Sequence, residues 1–470
     1  MQASVAIGER GRFLALVSRL VQSACQQPGC PQIDVRNRRN FVGMALGVIV
    51  KGSTRLKALA QFISPRRAAH SVKAVAVALG YFLTKAHFPA RQVSSRVLLA
   101  AAREVDPAQM ERYRGKVILV IDPTEYPKRS RGKGKRGRQM QHVGRVRKKK
   151  EKKKRQSNSK RKEPGKSGAK AAPGKRKEST ATTTGYVDVW AGMVLKGKQF
   201  LPLARRLYSS YHPQQRSQNR VEKAVLFRAL GMVKRLGLTA IVVGDRGLGR
   251  KELVIRLAKR GRDFVFRIDG DINARLEGAE GEGLLSELLA QQPWLGEAEW
   301  DQGEEGKLHC RVRKVRASIR FSRSGRQDDY EEARLHFVEL VPVEEGKESL
   351  ILVTTLPVDN IVDARGIARV YALRWSVETG FETMKAWGLG RFMVRKWEAI
   401  DRLLWIVAVA YAVMVVAHRH VRLGRLREQA VALIKQASVF GRKLTIGKLA
   451  EALTLDYADH RRAWANARLL

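Results

Sequence analysis

The sequence predicts a mixed α/β chain: an α/β core that carries an inserted antiparallel β block and is flanked by helical N- and C-terminal regions. Three observations predict it. Between residues 115 and 270, short runs of β-branched and leucine residues alternate with amphipathic stretches of helical period. Between 271 and 348 the pattern changes to alternating polar and apolar residues, broken by loops such as SRSGRQDD. In residues 1–110 and 401–470 apolar side chains recur at helical spacing.

Each element follows in order. Phe13, Leu16, Val17, Leu20 and Val21 share one helical face over Arg12–Gln26, and Ser71–Thr84 repeats the pattern. Arg36, Arg38, Arg39, Lys51, Arg55, Arg66 and Arg67 punctuate this region. They suit either a small DNA-binding domain or a helical bundle with ordinary solvated charges. Val117–Ile121 is a continuous apolar run, predicting a buried strand that ends at Asp122. TGYVDVWAGMVLKGKQFLPLARRLY reads as two strands around a tight connection, and Val221–Arg235 as an amphipathic helix closed by Gly237. A strand over Ala240–Val243 follows, with Asp245 just past it, then a helix from about Arg250 and a strand over Phe264–Ile268. HCRVRKVRASIRF and ARLHFVELVPV supply the alternating strands of the insertion. Leu350–Pro357 resumes a core strand, and Val362–Trp387 reads as one long helix. Leu403–His418 and Glu428–Ala437 predict the C-terminal helices. The expected division is therefore 1–110, 115–270, 271–348, 349–400 and 401–470.

Charge narrows the function. The 470 residues hold 91 Lys and Arg against 44 Asp and Glu, a net charge of +47. That excess implies a polyanionic partner, with nucleic acid ahead of an acidic membrane. Residues 128–178 alone carry 24 Lys and Arg against three Glu and almost no large apolar side chain. Such a segment cannot offset its ordering entropy by burial, so a disordered basic loop is expected, serving as a polyanion-binding tether or as a specific signal. Three cysteines exclude a disulfide scaffold and fit a reducing compartment. CQQPGC has a ligand-like gap, but no second pair follows to complete a zinc site. No signal peptide is read at the N-terminus. The longest apolar run, Leu403–Ala417, is short for a bilayer and reads as a buried helix.

The chemistry-bearing pattern lies in YALRWSVETGFETMK. At about 100° per residue, Tyr371, Arg374, Glu378 and Lys385 fall within about 60° of one another, beside an apolar stripe of Leu373, Val377, Phe381 and Met384. By itself this is also what an ordinary surface ion pair on an amphipathic helix looks like. Asp122 and Asp245, at the ends of two core strands, add two carboxylates. Three carboxylates on core elements could hold two divalent ions about 3.5–4 Å apart, the arrangement that drives in-line phosphoryl displacement. Arg374 and Lys385 would then face substrate phosphates.

IDPTEYPK, VVGDRGLGRKEL and YALRWSVETGFETMK resemble the three acidic motifs of an IS4-type DDE transposase, the last matching that family's Tyr-x2-Arg-x3-Glu-x6-Lys signature throughout. The resemblance, over roughly residues 115–400, implies an RNase H-like catalytic core with a β insertion between the second Asp and the Glu. It implies Asp122, Asp245 and Glu378 as catalytic metal ligands and two Mg²⁺ ions per site, with Mn²⁺ able to substitute. It further implies cut-and-paste transposition of an insertion sequence on double-stranded DNA, both transposon ends and target. The working form would be a homodimer synapsed on terminal inverted repeats in a bacterial, nucleoid-associated cytoplasmic setting, with no membrane partner. Tyr371, Arg374 and Lys385 would touch the transferred strand. Arg246, after the second Asp, would hold a phosphate or pair with a neighbouring acid. Trp294 and Trp300 in the insertion would stack on a base or pack in the insertion's own core. Asp188 is either a fourth acid near the metals or a surface residue at a strand edge. Two further readings keep the fold: a noncatalytic DNA-binding protein, and a metal-dependent nuclease that cuts without joining.

Overall fold

The computed structural model describes residues 2–26, 32–63, 69–128, 140–147, 182–215, 217–303, 306–322, 329–419, 428 and 445–459. Five helices open the chain: α1 (Gln2–Gln26), α2 (Val35–Lys51), α3 (Leu56–Ile63), α4 (Ala69–Thr84) and α5 (Ala90–Arg103). The α2 start is capped by the Asp34 side chain, which accepts from the Arg36 amide, and Gly52 closes it in the left-handed conformation. Phe13, Leu16, Val17, Leu20 and Val21 are all buried, as their spacing predicts.

One mixed sheet of thirteen strands forms the body. It is built from β1 (Arg112–Tyr113), β2 (Lys116–Pro127), β3 (Gly144–Arg147), β4 (Thr182–Leu195), β5 (Gln199–Tyr208), β6 (Ala240–Gly244) and β7 (Asp263–Arg267). It continues through β8 (Asn273–Leu276), β9 (Gly283–Leu284), β10 (Gly296–Asp301), β11 (Lys307–Ser322), β12 (Tyr330–Pro342) and β13 (Leu350–Thr354). The order is β3-β4-β2-β6-β7-β13-β12-β11-β8-β9, with β1 on β2, β5 on β4 and β10 on β11. Among the described residues, only β2/β6 and β6/β7 pair in parallel. These central strands are covered on both faces, which is why Val117–Ile121 is an unbroken apolar run and fully buried. The insertion strands β11 and β12 form a long antiparallel ladder, and β12 also pairs with β13, so the insertion extends the core sheet directly.

The remaining helices are α6 (Gln218–Arg235), α7 (Lys251–Lys259), α8 (Leu285–Ala290), α9 (Ile361–Ala372), α10 (Trp375–Ala386), α11 (Trp397–Arg419) and α12 (Ile446–Asp459). α6 packs on β4 and β5, α10 on β5 and β2, and α9 on β10 and the central strands. α11 is longer than its apolar run and, by length and composition, could cross a membrane. Its most apolar window is 89% buried, against α1, α2, α4, α5 and β5, so in this fold it is a core helix.

Three expectations change. The strand expected to end at Asp122 continues to Pro127, because β4 goes on pairing with it beyond the end of β6. The helix expected over Val362–Trp387 divides into α9 and α10 at Leu373–Arg374. There the amides of Leu373, Arg374, Ser376 and Val377 each donate three residues back, a local 3₁₀ tightening. Within the expected basic loop, Gly144–Arg147 is a strand on β4, while 129–139 and 148–178 lie outside the described residues. Cys30 and most of the helix expected over Glu428–Ala437 also lie outside them.

Candidate active site

The parallel pairing of β2 and β6 places the first two acids. The last paired residues are Ile121 and Gly244. Asp122 is the next residue within β2 and Asp245 the first residue past β6, so the two neighbouring strands deliver carboxylates at one level, where their parallel pairing ends. A Cβ at Gly244 would lie 2.7 Å from Leu248 Cδ1, so the Leu248 side chain would have to shift to admit one. After Asp245 the chain makes a 3₁₀ turn (Arg246–Leu248), and Gly249 passes so close to the Arg267 carbonyl oxygen that a Cβ would sit 2.1 Å from it.

Glu378 comes from the first turn of α10. It lines, together with Asp122 and Asp245, a cleft of about 790 Å³. Arg374 donates to Glu378 Oε1 at 2.9 Å, and its guanidinium stacks on the Trp375 ring at 4.3 Å. Arg374 is nearly buried, which by itself weakens its hold on the proton. The acids Asp122, Asp245 and Glu378, with Tyr371, more than reverse this and raise its affinity for the proton. Its charge is therefore the electrostatic counterpart of the three carboxylates. Tyr371 donates to Asp245 Oδ1 at 3.3 Å; burial, and then Asp245, pushes its phenol well above the ordinary value. Lys385 lines the same cleft. The four residues predicted to share a stripe do converge, although two helices and a tightened junction carry them.

The donor set suits a hard divalent cation: carboxylate oxygens facing an open cleft, without thiolate or imidazole. Among the described residues, no three His, Cys, Asp or Glu side chains are already gathered closely enough to hold one ion. Mg²⁺ does not require such a cage, because it keeps waters and takes substrate phosphate oxygens beside one or two carboxylates.

Several residues of the cleft escaped the sequence reading. Glu125 and Glu382 line it. Their signals were present, since Glu125 lies in the same IDPTEYPK segment as Asp122 and Glu382 is one helical turn beyond Glu378. Glu222 had no such signal. It is buried in the cleft wall and is bridged to Arg250 at 2.6 Å, a pairing between α6 and the start of α7 that no local pattern announces.

Other predicted residues fall elsewhere. Arg246 pairs with Glu348 at 2.5 Å and Asp269 at 3.1 Å, so here it takes acid partners. Asp188 is neither at the surface nor in the cleft. It is fully buried, taking Arg205 at 2.8 Å and the Tyr126 hydroxyl at 3.1 Å, while Arg205 also bridges Asp401 on α11. Burial pushes the Asp188 carboxyl up, against the pull of Arg205. Trp300 packs in the insertion, 7% exposed. Trp294 is 41% exposed, with the guanidiniums of Arg311 and Arg313 over its ring at 4.0 and 5.0 Å. The insertion also reaches α10, where Gly303 approaches the Trp375 ring so closely that a Cβ would lie 2.9 Å from it. Lys198 of the β4–β5 turn bridges Asp301 at 2.6 Å.

Residues 207–413 match the family model of the transposase DDE domain. The match, over less than half of the chain, supports a transposase-type DDE domain in these residues. It spans Asp245, Tyr371, Arg374, Glu378 and Lys385; Asp122 lies outside it and joins the site through the β2/β6 register. No curated protein matches the chain.

Proposed function

We propose that this chain is an IS4-type transposase with an RNase H-like core, which excises and inserts a DNA element by metal-assisted phosphoryl transfer at terminal inverted repeats. The observation that carries this reading is the meeting of Asp122, Asp245 and Glu378 in one cleft with Arg374, Lys385 and Tyr371 beside them. Asp122, Asp245 and Glu378 would hold two Mg²⁺ ions, or Mn²⁺ in their place, which when bound would activate the attacking oxygen and neutralise the leaving one. The chain's own residues do the rest. Arg374, pinned by Glu378 below and Trp375 behind, presents a preorganised cation where a scissile phosphate gathers charge. Lys385 adds a second positive charge along the same cleft. Tyr371 keeps its proton at neutral pH and orients the Asp245 carboxylate by donating to it. Synapsis of two ends would require a dimer, and the net charge of +47 supplies attraction to the DNA.

The test is cleavage of a plasmid carrying the DNA that flanks the gene, in Mg²⁺, with Glu378→Gln as control. The wild type should release the flanked segment, and the variant should lose at least about a hundredfold in rate while binding DNA as before. Full cleavage by Glu378→Gln overturns the metal assignment. Cutting by the wild type without joined products would favour a nuclease.

A further inference from the structure

α10 borders two cavities. Glu378, Phe381, Glu382 and Lys385 line the acidic cleft, while Ser376, Thr379, Gly380 and Thr383, at helical spacing along the other side, line a second cavity of about 580 Å³. Phe200 of β5, Tyr411 of α11 and Ile446 of α12 contribute to its wall, and Lys196, Lys198 and Arg419 bring positive charge to it. A helical serine commonly returns its hydroxyl to a backbone carbonyl one turn back, but Ser376, 1% exposed, has no hydrogen-bond partner for its Oγ. Tyr411 is 2% exposed, and among the described residues its hydroxyl has no hydrogen bond. Burial pushes its phenol above the ordinary value, so it keeps a proton to donate. Gly380 leaves space beside that hydroxyl: a Cβ there would lie 3.2 Å from Tyr411 Oη and 3.1 Å from Phe200 Cδ1.

A buried hydroxyl without a partner is a standing cost, and two on one cavity, from different helices, are what a ligand's acceptor oxygens would satisfy. The cations select an anion. Arg419 is held in place, donating through Nε to Gln199 Oε1 at 2.7 Å and through Nη2 to the Lys196 carbonyl, while Gln199 also meets His418 Nδ1 at 3.1 Å. Lys198 is committed to Asp301 at 2.6 Å, whereas the Lys196 ammonium has no acid partner among the described residues. Donors thus reach the cavity from α10, α11 and the β4–β5 turn. Three directions suit the three oxygens of a tetrahedral phosphate monoester better than the two coplanar oxygens of a carboxylate. The volume lies within the range of about 300–1,000 Å³ that holds a small organic ligand. We propose that this cavity binds a small phosphate monoester, its oxygens on Ser376 Oγ, Tyr411 Oη and the Lys196 ammonium and its organic body along Phe200 and Ile446. No residue lines both this cavity and the acidic cleft, so the inference stands whatever the cleft does.

The experiment is isothermal titration calorimetry of the full chain with phenyl phosphate, and with benzoate as its planar carboxylate counterpart, at about 150 mM salt. The wild type should bind phenyl phosphate saturably and about tenfold or more tighter than benzoate. In Ser376→Ala/Tyr411→Phe the affinity for phenyl phosphate should fall by about tenfold or more, the worth of two hydrogen bonds of ordinary strength. The double variant loses two oxygens and no charge, so loose attraction of anions to a chain of net charge +47 would survive in it. Equal binding by the wild type and the double variant therefore overturns the proposal. So does a wild type that does not bind phenyl phosphate, or one that binds benzoate as tightly. The melting temperature of the unliganded double variant should stay level or rise, because each hydroxyl removed had no partner. Should the double variant fail to fold, Ser376→Ala and Tyr411→Phe singly carry the same test, each with an expected loss of about threefold or more.

Discussion

Lys128 opens the basic stretch yet turns inward. Its ammonium donates to the Gly390 carbonyl at 2.5 Å and lies 3.8 Å from the centre of the Phe392 ring, and burial pushes it down to about 8. Between that value and the ordinary 10.5 the unfolded chain still binds a proton that the native state has released, so stability rises with pH through this window. Lys128→Met should flatten that rise. Urea unfolding at pH 8 and pH 10 reads it, and equal pH slopes in variant and wild type would refute the burial of the charge. Residues of this kind mark what local pattern conveys. Asp122, Asp245 and Glu378 were legible because each ends an apolar run or sits on a marked helical stripe. Asp188 was not legible. Whether a strand carboxylate meets water, metal or a buried Arg205 depends on residues 17 and 62 positions away.

Among the elements, the turn after β6 has the least slack. Gly249 lies against the Arg267 carbonyl, and a backbone oxygen cannot rotate out of the way. Gly249→Ala should push the Arg246–Leu248 turn outward, moving Asp245 with it. The expected loss of stability is about 1–3 kcal/mol. Cleavage should fall by a larger factor, of order a hundredfold if the acid moves by about 1 Å. Chemical denaturation and the plasmid assay, run side by side, check both; a variant with wild-type cleavage would mean that the turn does not position Asp245. Periodicity placed most elements within a few residues, since buried strands and amphipathic helices write their environment into sequence. It missed the division of α9 from α10, where the backbone stays helical and only the hydrogen-bond step shortens. It also missed β3, whose four residues lie in a basic segment and are held by pairing with a distant strand.

At the scale of the whole molecule, the proposed function makes charge the governor of encounter with DNA. Residues 148–177 hold 15 Lys and Arg against two Glu, and lie between β3 and β4 without including either. Deleting them should weaken duplex binding and lower its salt slope, which fluorescence titration of a labelled duplex at several salt concentrations measures; an unchanged slope would show that the segment does not touch DNA. Composition and periodicity alone conveyed the α/β class, the large positive charge, the change of pattern in the insertion and the three acids as candidates, because these follow from local chemistry summed along the chain. Only the tertiary structure decided that the insertion's strands extend the core sheet, that α11 is covered on its apolar faces, and that Arg374 stands among the carboxylates while Arg246 turns to Glu348 and Asp269. Each of those depends on which distant segments meet. A single run of residues records the propensity of its own backbone and the polarity of its own surroundings, and it does not record the partner across the gap.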